Sequence, residues 1–544
     1  MKTLEFFKKE PVKIFIITAL IMLTGVIGTE ITHMDVRFAL MVEDINMHGL
    51  GLFSTINGKP YLDYFSSWML FSWLTSLCGH AVTLTGLTLP SILLGAYTCM
   101  MVYLTGERVG KGIGIGAVML LLITPEFSTL FIGLGIDVPV MAVGITMLYL
   151  LQREDVSKIK FYGIFSLLLL GAFLIRGPLG VILPCAGVCG SLLAARKWKG
   201  FTAAGFTGAA ILIIGMAICI GLIFLTGGRK LWNWFVESQF LERVSHGKRS
   251  PTMLLDLYFS LAPVALISLG IFLHSRRRIF SQPAAGWIGF VALPLILMLL
   301  PSRVHVRYLA ILQPCWALLG AYAFSCGRFG SWFQNVIYRR LKQPLDRWYR
   351  PVCCLVVLIL AVIGICLNGM ASQPWWHYLA TVLLVSTIPF WTEKSWTPVR
   401  PLLALGIVFF AALNPFLAVR ERAKDFTAAV ESARTGRLWL LEMGVDHDEL
   451  KYILHMTPKE RYTARYIFFN PPKLTGMYKE IYHVESIHKV FSEIKESDVI
   501  VLPDDKSDIG RLRELAEKHH CRVVVVKTGK IGHDDIVAVR LQPF

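Results

Sequence analysis

Apolar runs of membrane-spanning length recur from residue 11 to residue 419, and nearly every second gap between them, each one expected on the inside, is basic. Once a run of about twenty apolar residues enters hydrocarbon, its backbone groups must be satisfied internally, so it becomes a helix. Lys and Arg then collect in the loops that stay in the cytoplasm. The first run, Pro11–Gly28, follows Lys2, Lys8 and Lys9. A secretory signal also begins this way, but no small-residue cleavage site follows and many more runs do. The run is read as a first span with the N-terminus inside.

Further spans are expected at Val82–Leu104, Ile113–Phe127, Val138–Leu151, Tyr162–Ile175, Leu179–Ala194 and Ala204–Leu225. Others follow at Leu255–Leu273, Trp287–Leu300, Tyr308–Phe324, Val352–Leu367, Tyr378–Trp391 and Leu402–Val419. The total is about thirteen. The inside loops then hold Arg108 and Lys111, Arg153 to Lys160, Arg196 to Lys199, Arg276 to Arg278, and the most basic stretch, 326–350. Residues 29–82 and 228–254 fall outside, with Ser66–Cys78 too short to span and read as an interfacial helix.

After about residue 420 charges become dense and short strand patterns appear at Arg437–Leu441, Tyr466–Phe469, Val499–Leu502, Arg522–Lys527 and Ile536–Leu541, with an amphipathic helix at 508–519. The expected fold class is mostly α: a polytopic membrane domain over 1–420 and a small extracytoplasmic α/β domain over 421–544. No phosphate loop or triad spacing marks that domain as a second catalytic centre. The net charge of +17 would suggest nucleic acid in a soluble chain, but here it belongs to loop anchoring. Ten of the 11 cysteines lie in or beside apolar runs without spaced pairs, so neither a disulfide framework nor zinc is implied.

The residues with chemical potential stand at the outer ends of spans. Asp35 and Asp63 each lie among aromatics beside an apolar run, with Arg37 next to the first. Two carboxylates at one site suit general-base work, or one orienting the other. Glu43 and Asp44 are read as solvated charges. Arg176, Arg303 and Arg307 oppose the positive-inside trend; either they snorkel to headgroups or they share an anion, and several at one level favour the anion. His305 between the last two reads as a packing or hydrogen-bonding residue. Asp137 is either a helix N-cap or a site residue. Glu237 and Arg243 are either solvated charges or the lining of an entrance.

Four motifs in this order resemble the GT-C class of lipid-linked-sugar glycosyltransferases, and within it the lipid A aminoarabinose transferases and protein O-mannosyltransferases. They are Asp35-Val36-Arg37-Phe38, Gly58-Lys59-Pro60-Tyr61-Leu62-Asp63, Arg176-Gly177-Pro178, and the stretch from Pro301-Ser302-Arg303 through Arg307-Tyr308 to Pro314. The resemblance covers residues 1 to about 420. Two departures stand out: Met34 replaces the first of a frequent acidic pair, and Tyr64-Phe65-Ser66 replaces a Lys-Pro-Pro continuation. The resemblance implies inverting transfer of a sugar from a polyprenyl-phosphate donor to a lipid A-like or other envelope acceptor, outside a bacterial inner membrane. Asp35 would be the base and Asp63 would position Arg37 or the acceptor. Arg37, Lys59, Arg176, Arg303, Arg307 and Tyr308 would hold the donor phosphate. Asp137, Glu237 and His305 are further site candidates. Implied partners are the donor, a lipid or glycan acceptor and membrane lipids, with no cofactor, metal or nucleic acid. The alternatives are a protein O-glycosyltransferase and a flippase of lipid-linked sugars. A flippase would favour inverted repeats, and no internal repeat is visible.

Overall fold

The computed structural model describes residues 10–24, 34–56, 58–78, 84–122, 133–237, 284–298, 306–326, 435–442, 465–471, 484–531 and 534–544, with isolated positions between them. In chain order the elements are α1 (Glu10–Thr24), α2 (Met34–His48), β1 (Phe53–Ile56), β2 (Lys59–Phe65), α3 (Ser66–Thr75), α4 (Leu84–Glu107), α5 (Ile113–Leu122), α6 (Asp137–Leu151), α7 (Lys158–Arg176) and α8 (Pro178–Ala194). There follow α9 (Trp198–Val236), α10 (Ala284–Met298), a 3-10 helix (Val306–Leu312) and α11 (Gln313–Cys326). The C-terminal part adds β3 (Leu438–Leu441), β4 (Arg465–Phe468), β5 (Val484–Ser486), β6 (Val499–Pro503), α12 (Lys506–Lys518), β7 (Cys521–Ile531) and β8 (Asp534–Pro543). The chain divides into two compact units, residues 1–28 with 88–418 and residues 29–87 with 419–544.

In the first unit the helices follow the apolar runs. Three helical segments among the described residues, Thr85–Glu107, Lys158–Arg176 and Trp198–Val236, are long and apolar enough to cross a membrane. α5, α6, α8, α10 and the segment Tyr308–Ala323 are apolar but shorter. The expected spans at Leu255–Leu273, Val352–Leu367, Tyr378–Trp391 and Leu402–Val419 lie outside the described residues. Glycines set the helix spacing. A Cβ on Gly190 of α8 would stand 2.0 Å from the Gly289 carbonyl oxygen of α10, and one on Gly289 would stand 2.1 Å from that of Gly190. The two backbones therefore touch, the close approach that small residues permit between apolar helices.

Residues 228–236, expected at the start of an outside loop, are helical. α9 runs 39 residues, broken only at Gly228 (φ 59°, ψ −149°). That conformation is essentially open to glycine alone. At 1.5 Å per residue the part before the break, residues 198–227, rises about 45 Å, against roughly 30 Å for a bilayer core. The hydropathic stretch Ala204–Leu225 was legible, whereas its polar continuation, Arg229-Lys230-Leu231-Trp232-Asn233, reads as a loop.

In the second unit, the described residues 34–56 and 58–78 hold helix α2, the β1–β2 hairpin and helix α3, the last within the stretch Ser66–Cys78 expected as a helix. The C-terminal sheet has the order β5-β4-β3-β6-β8-β7. β5, β4, β3 and β6 are parallel, β8 pairs antiparallel with β6, and β7 with β8. Continuous apolar runs such as Leu438–Leu441 and Val499–Leu502 suit strands buried on both faces. α12 buries Leu512, Leu515 and Ala516 in a core shared with Trp439, Ile467 and Ile500. The five expected strands and the helix are present within a few residues. β5, three residues long, carried too little pattern to be seen. Buried Asp498 receives hydrogen bonds from Arg437 N, Trp439 Nε1 and Lys495 N, which fixes the start of β3. At the edge, β7 shifts register against β8 between Val525 and Lys527.

Candidate functional site

Two groups of motif residues are described, one in each unit. The first lies on α2 and its hairpin. Arg37 is 5% exposed and its Nη1 donates to the Tyr61 hydroxyl at 2.7 Å. Its guanidinium carbon also stands 5.3 Å from the centre of the Tyr61 ring. Tyr61 stacks on Tyr64 at 5.6 Å, and Tyr64 meets Phe38 edge-on at 5.1 Å. An aromatic wall thus fixes the cation where rotamer freedom would otherwise blur it, and Tyr61 is the residue that sequence reasoning left without a role. Asp35 lies in the first turn of α2, two residues before Arg37, and Asp63 lies two residues past Tyr61 on β2. The hairpin shifts register between Phe53 and Thr55, a bulge of the kind that re-aims side chains near sites. Lys59 is exposed at the hairpin turn.

Asp44, expected as a solvated charge, is buried. It is 3% exposed: Gly58 N donates to its Oδ2 at 2.9 Å, and His48 Nδ1 lies 3.3 Å from its Oδ1. The signal was present as Asn57-Gly58 between two strand-like stretches, a strong hairpin-turn dipeptide. Gly58 has φ +68°, the left-handed region such a turn requires.

The second group forms where α7 gives way to α8. Arg176 is the last residue of α7, Gly177 breaks the helix at φ 62° and ψ −145°, and Pro178 opens α8 with its fixed φ. The Arg-Gly-Pro motif is therefore a helix corner that presents Arg176. Asp137 opens α6, and the cap position falls to Ile136, so Asp137 is not the N-cap. Its carboxylate faces Arg176 instead, with Nε 2.9 Å from Oδ1 and Nη2 3.5 Å from Oδ2. The Nε–H does not point along the shorter line, so the contact is an ion pair more than a linear hydrogen bond. Both side chains are under a tenth exposed. The Arg176 guanidinium also stands 4.8 Å from the centre of the Tyr308 ring. These three residues and Val140, Leu179, Leu183 and Ile311 line a narrow cleft. Those four apolar lining residues were not singled out from sequence.

Arg307 precedes Tyr308 on the 3-10 helix, while Arg303, His305 and Arg243 lie outside the described residues. Glu237 follows the end of α9, partly buried, and does not line that cleft. Among the described residues no group of three or more His, Cys, Asp or Glu is arranged to hold a metal ion.

The sequence matches no protein-family model and no curated protein sequence. Among solved structures, the chain is similar to ArnT from Cupriavidus metallidurans bound to undecaprenyl phosphate, with a TM-score of 0.67 at 14% identity, covering 97% of each chain. The apo state of the same protein gives a TM-score of 0.65 at 15% identity, again over 97% of each chain. At such identity the likeness is one of fold, and it extends over nearly the whole length of both molecules.

Proposed function

We propose that this chain, built on the fold of ArnT, transfers a sugar from a polyprenyl-phosphate donor to a lipid A-like or other envelope acceptor at the outer face of a bacterial inner membrane. One observation carries the reading: a lipid A aminoarabinose transferase of the GT-C class matches the chain end to end, and that protein holds undecaprenyl phosphate. The motif residues fit the chemistry. An acceptor oxygen attacks the anomeric carbon from the face opposite the phosphate. The new C–O bond forms as the bond to phosphate breaks, and the electron pair leaves with the polyprenyl phosphate. Arg37 and Arg176, joined by Arg303 and Arg307, take up the charge that develops there. Asp35 accepts the proton of a hydroxyl acceptor, whereas a phosphate acceptor arrives ionised and needs little base. Asp63 positions Arg37 or the acceptor, and Lys59 and Tyr308 contribute to the phosphate site. About thirteen spans, with the C-terminal domain outside and lacking a catalytic centre of its own, complete the proposal.

The test is sugar transfer from an undecaprenyl-phosphate-linked donor by the purified full chain in detergent, with donor binding measured separately. Asp35→Asn removes a charge while keeping size, and turnover should fall by about a hundredfold or more, the scale of a positioned base. Donor affinity should change far less, because the phosphate is held by the arginines. Full activity in Asp35→Asn removes Asp35 from the mechanism and makes Asp63 the next base. A wild type that moves donor across vesicles without ever cleaving it is a flippase, and the proposal falls.

A further inference from the structure

We propose that Asp44 is a positioning residue that locks the β1–β2 turn so that Tyr61 meets Arg37. The proposal rests on reading Arg37 as a donor-phosphate residue. Asp44 lies seven residues, two helical turns, beyond Arg37, so the two share one face of α2. That face grips the hairpin twice: Arg37 Nη1 donates to the Tyr61 hydroxyl at 2.7 Å, and Gly58 N donates to Asp44 Oδ2 at 2.9 Å. The spacings agree. Seven helical residues rise about 10.5 Å, and the three strand residues from Gly58 to Tyr61 cover about 10 Å. A slip of the strand along the helix therefore breaks both contacts together.

The turn itself leaves no slack. Gly58 stands at φ +68°, and a Cβ there would meet His48 Nε2 at 2.8 Å and Cδ2 at 2.9 Å. His48, one turn beyond Asp44, thus packs over the turn while its Nδ1 faces Asp44 Oδ1 at 3.3 Å. α2 is tied to α3 as well, through Trp73 Nε1 donating to Asn46 Oδ1 at 2.6 Å. Asp44 lies at the turn end of β2 and Arg37 at the Tyr61 end, so Asp44 acts on Arg37 through the strand.

The experiment is a coupling cycle on transfer by the full-length protein. Asp44→Ala should lower kcat/KM by roughly tenfold to a hundredfold, the range for a reacting group misplaced by about 1 Å. Asp44→Asn, whose amide oxygen still accepts from Gly58 N, should recover most of that loss. In an Arg37→Ala background Asp44→Ala should add less than about twofold, because contacts acting through one another are not additive. Equal losses in both backgrounds would mean that Asp44 serves stability alone, and the proposal fails. Hydrogen–deuterium exchange over residues 58–65 supplies a readout independent of transfer, even where Asp44→Ala is too unstable to assay. Asp44→Asn should stay near wild type and Gly58→Ala should exchange faster. Unchanged exchange in both Gly58→Ala and Asp44→Ala overturns the lock. If wild type shows no transfer at all, the proposed function falls, and the exchange result decides the lock.

Discussion

Asp137 and Arg176 bring opposite charges together with both side chains under a tenth exposed. Removing both charges in favour of apolar groups is often neutral for such a pair, while removing one strands the other. Asp137→Ala should therefore cost about 3–5 kcal/mol, read as a fall in the thermal midpoint of the purified chain. Adding Arg176→Leu to that variant should restore most of it. A double variant as unstable as the single one would mean that the pair is not what holds this corner. The same pairing bears on chemistry, because an anion approaching Arg176 meets a guanidinium already shared with Asp137 and Tyr308. The Asp137 charge offsets that of Arg176, so an approaching phosphate is attracted less than it would be by a lone guanidinium.

The contact of α8 with α10 is the element whose tolerance is easiest to forecast. Gly190→Ala puts a methyl where the Gly289 carbonyl oxygen stands, and backbone cannot yield as a side chain does. The cost should be at least the roughly 1–3 kcal/mol of ordinary overpacking. Gly163→Ala on α7, where nothing lies within 4 Å of the added methyl, is the control and should be silent. Size-exclusion profiles of the two variants in detergent decide it, and an intact Gly190→Ala would refute the close approach. Elements of this kind were legible as hydropathy. The runs starting at Val82, Ile113, Val138, Tyr162, Leu179 and Trp287 became α4 to α8 and α10 because lipid-compatible composition leaves a chain no alternative to a helix. α2 was not legible, because Met34–His48 mixes Asp35, Arg37, Glu43, Asp44 and His48 with its apolar residues and has no clear polar face. Its order comes from contacts with the hairpin that follows it, 14 and 24 residues away in the chain, which a pattern confined to one helix does not register. Of the candidate site, Arg37 and Arg176 were visible as motif residues with a proposed role, whereas Tyr61, present in a motif without one, and Asp44 gain meaning only from their partners.

For the molecule as a whole, the basic clusters predict which face is which. Residues 29–82 and the tail after Val419 should react with a membrane-impermeant thiol reagent from outside in a cysteine-free background, and residues 326–350 should not. The reverse pattern would invert the topology and move the proposed chemistry to the cytoplasm. The last strand in the C-terminal sheet order has a consequence for such molecules when they are crowded together. β7 carries Val523 to Val526 in succession, a sequence that adds readily to a strand from another chain. Arg522 and Lys527 bracket it, both exposed, and the register shift at Val525 and Lys527 bends the edge away from straight pairing. Neighbouring copies that face one another across this edge thus meet like charge and a mismatched hydrogen-bond ladder, so two side chains and one extra residue set the strand against pairing with its own kind.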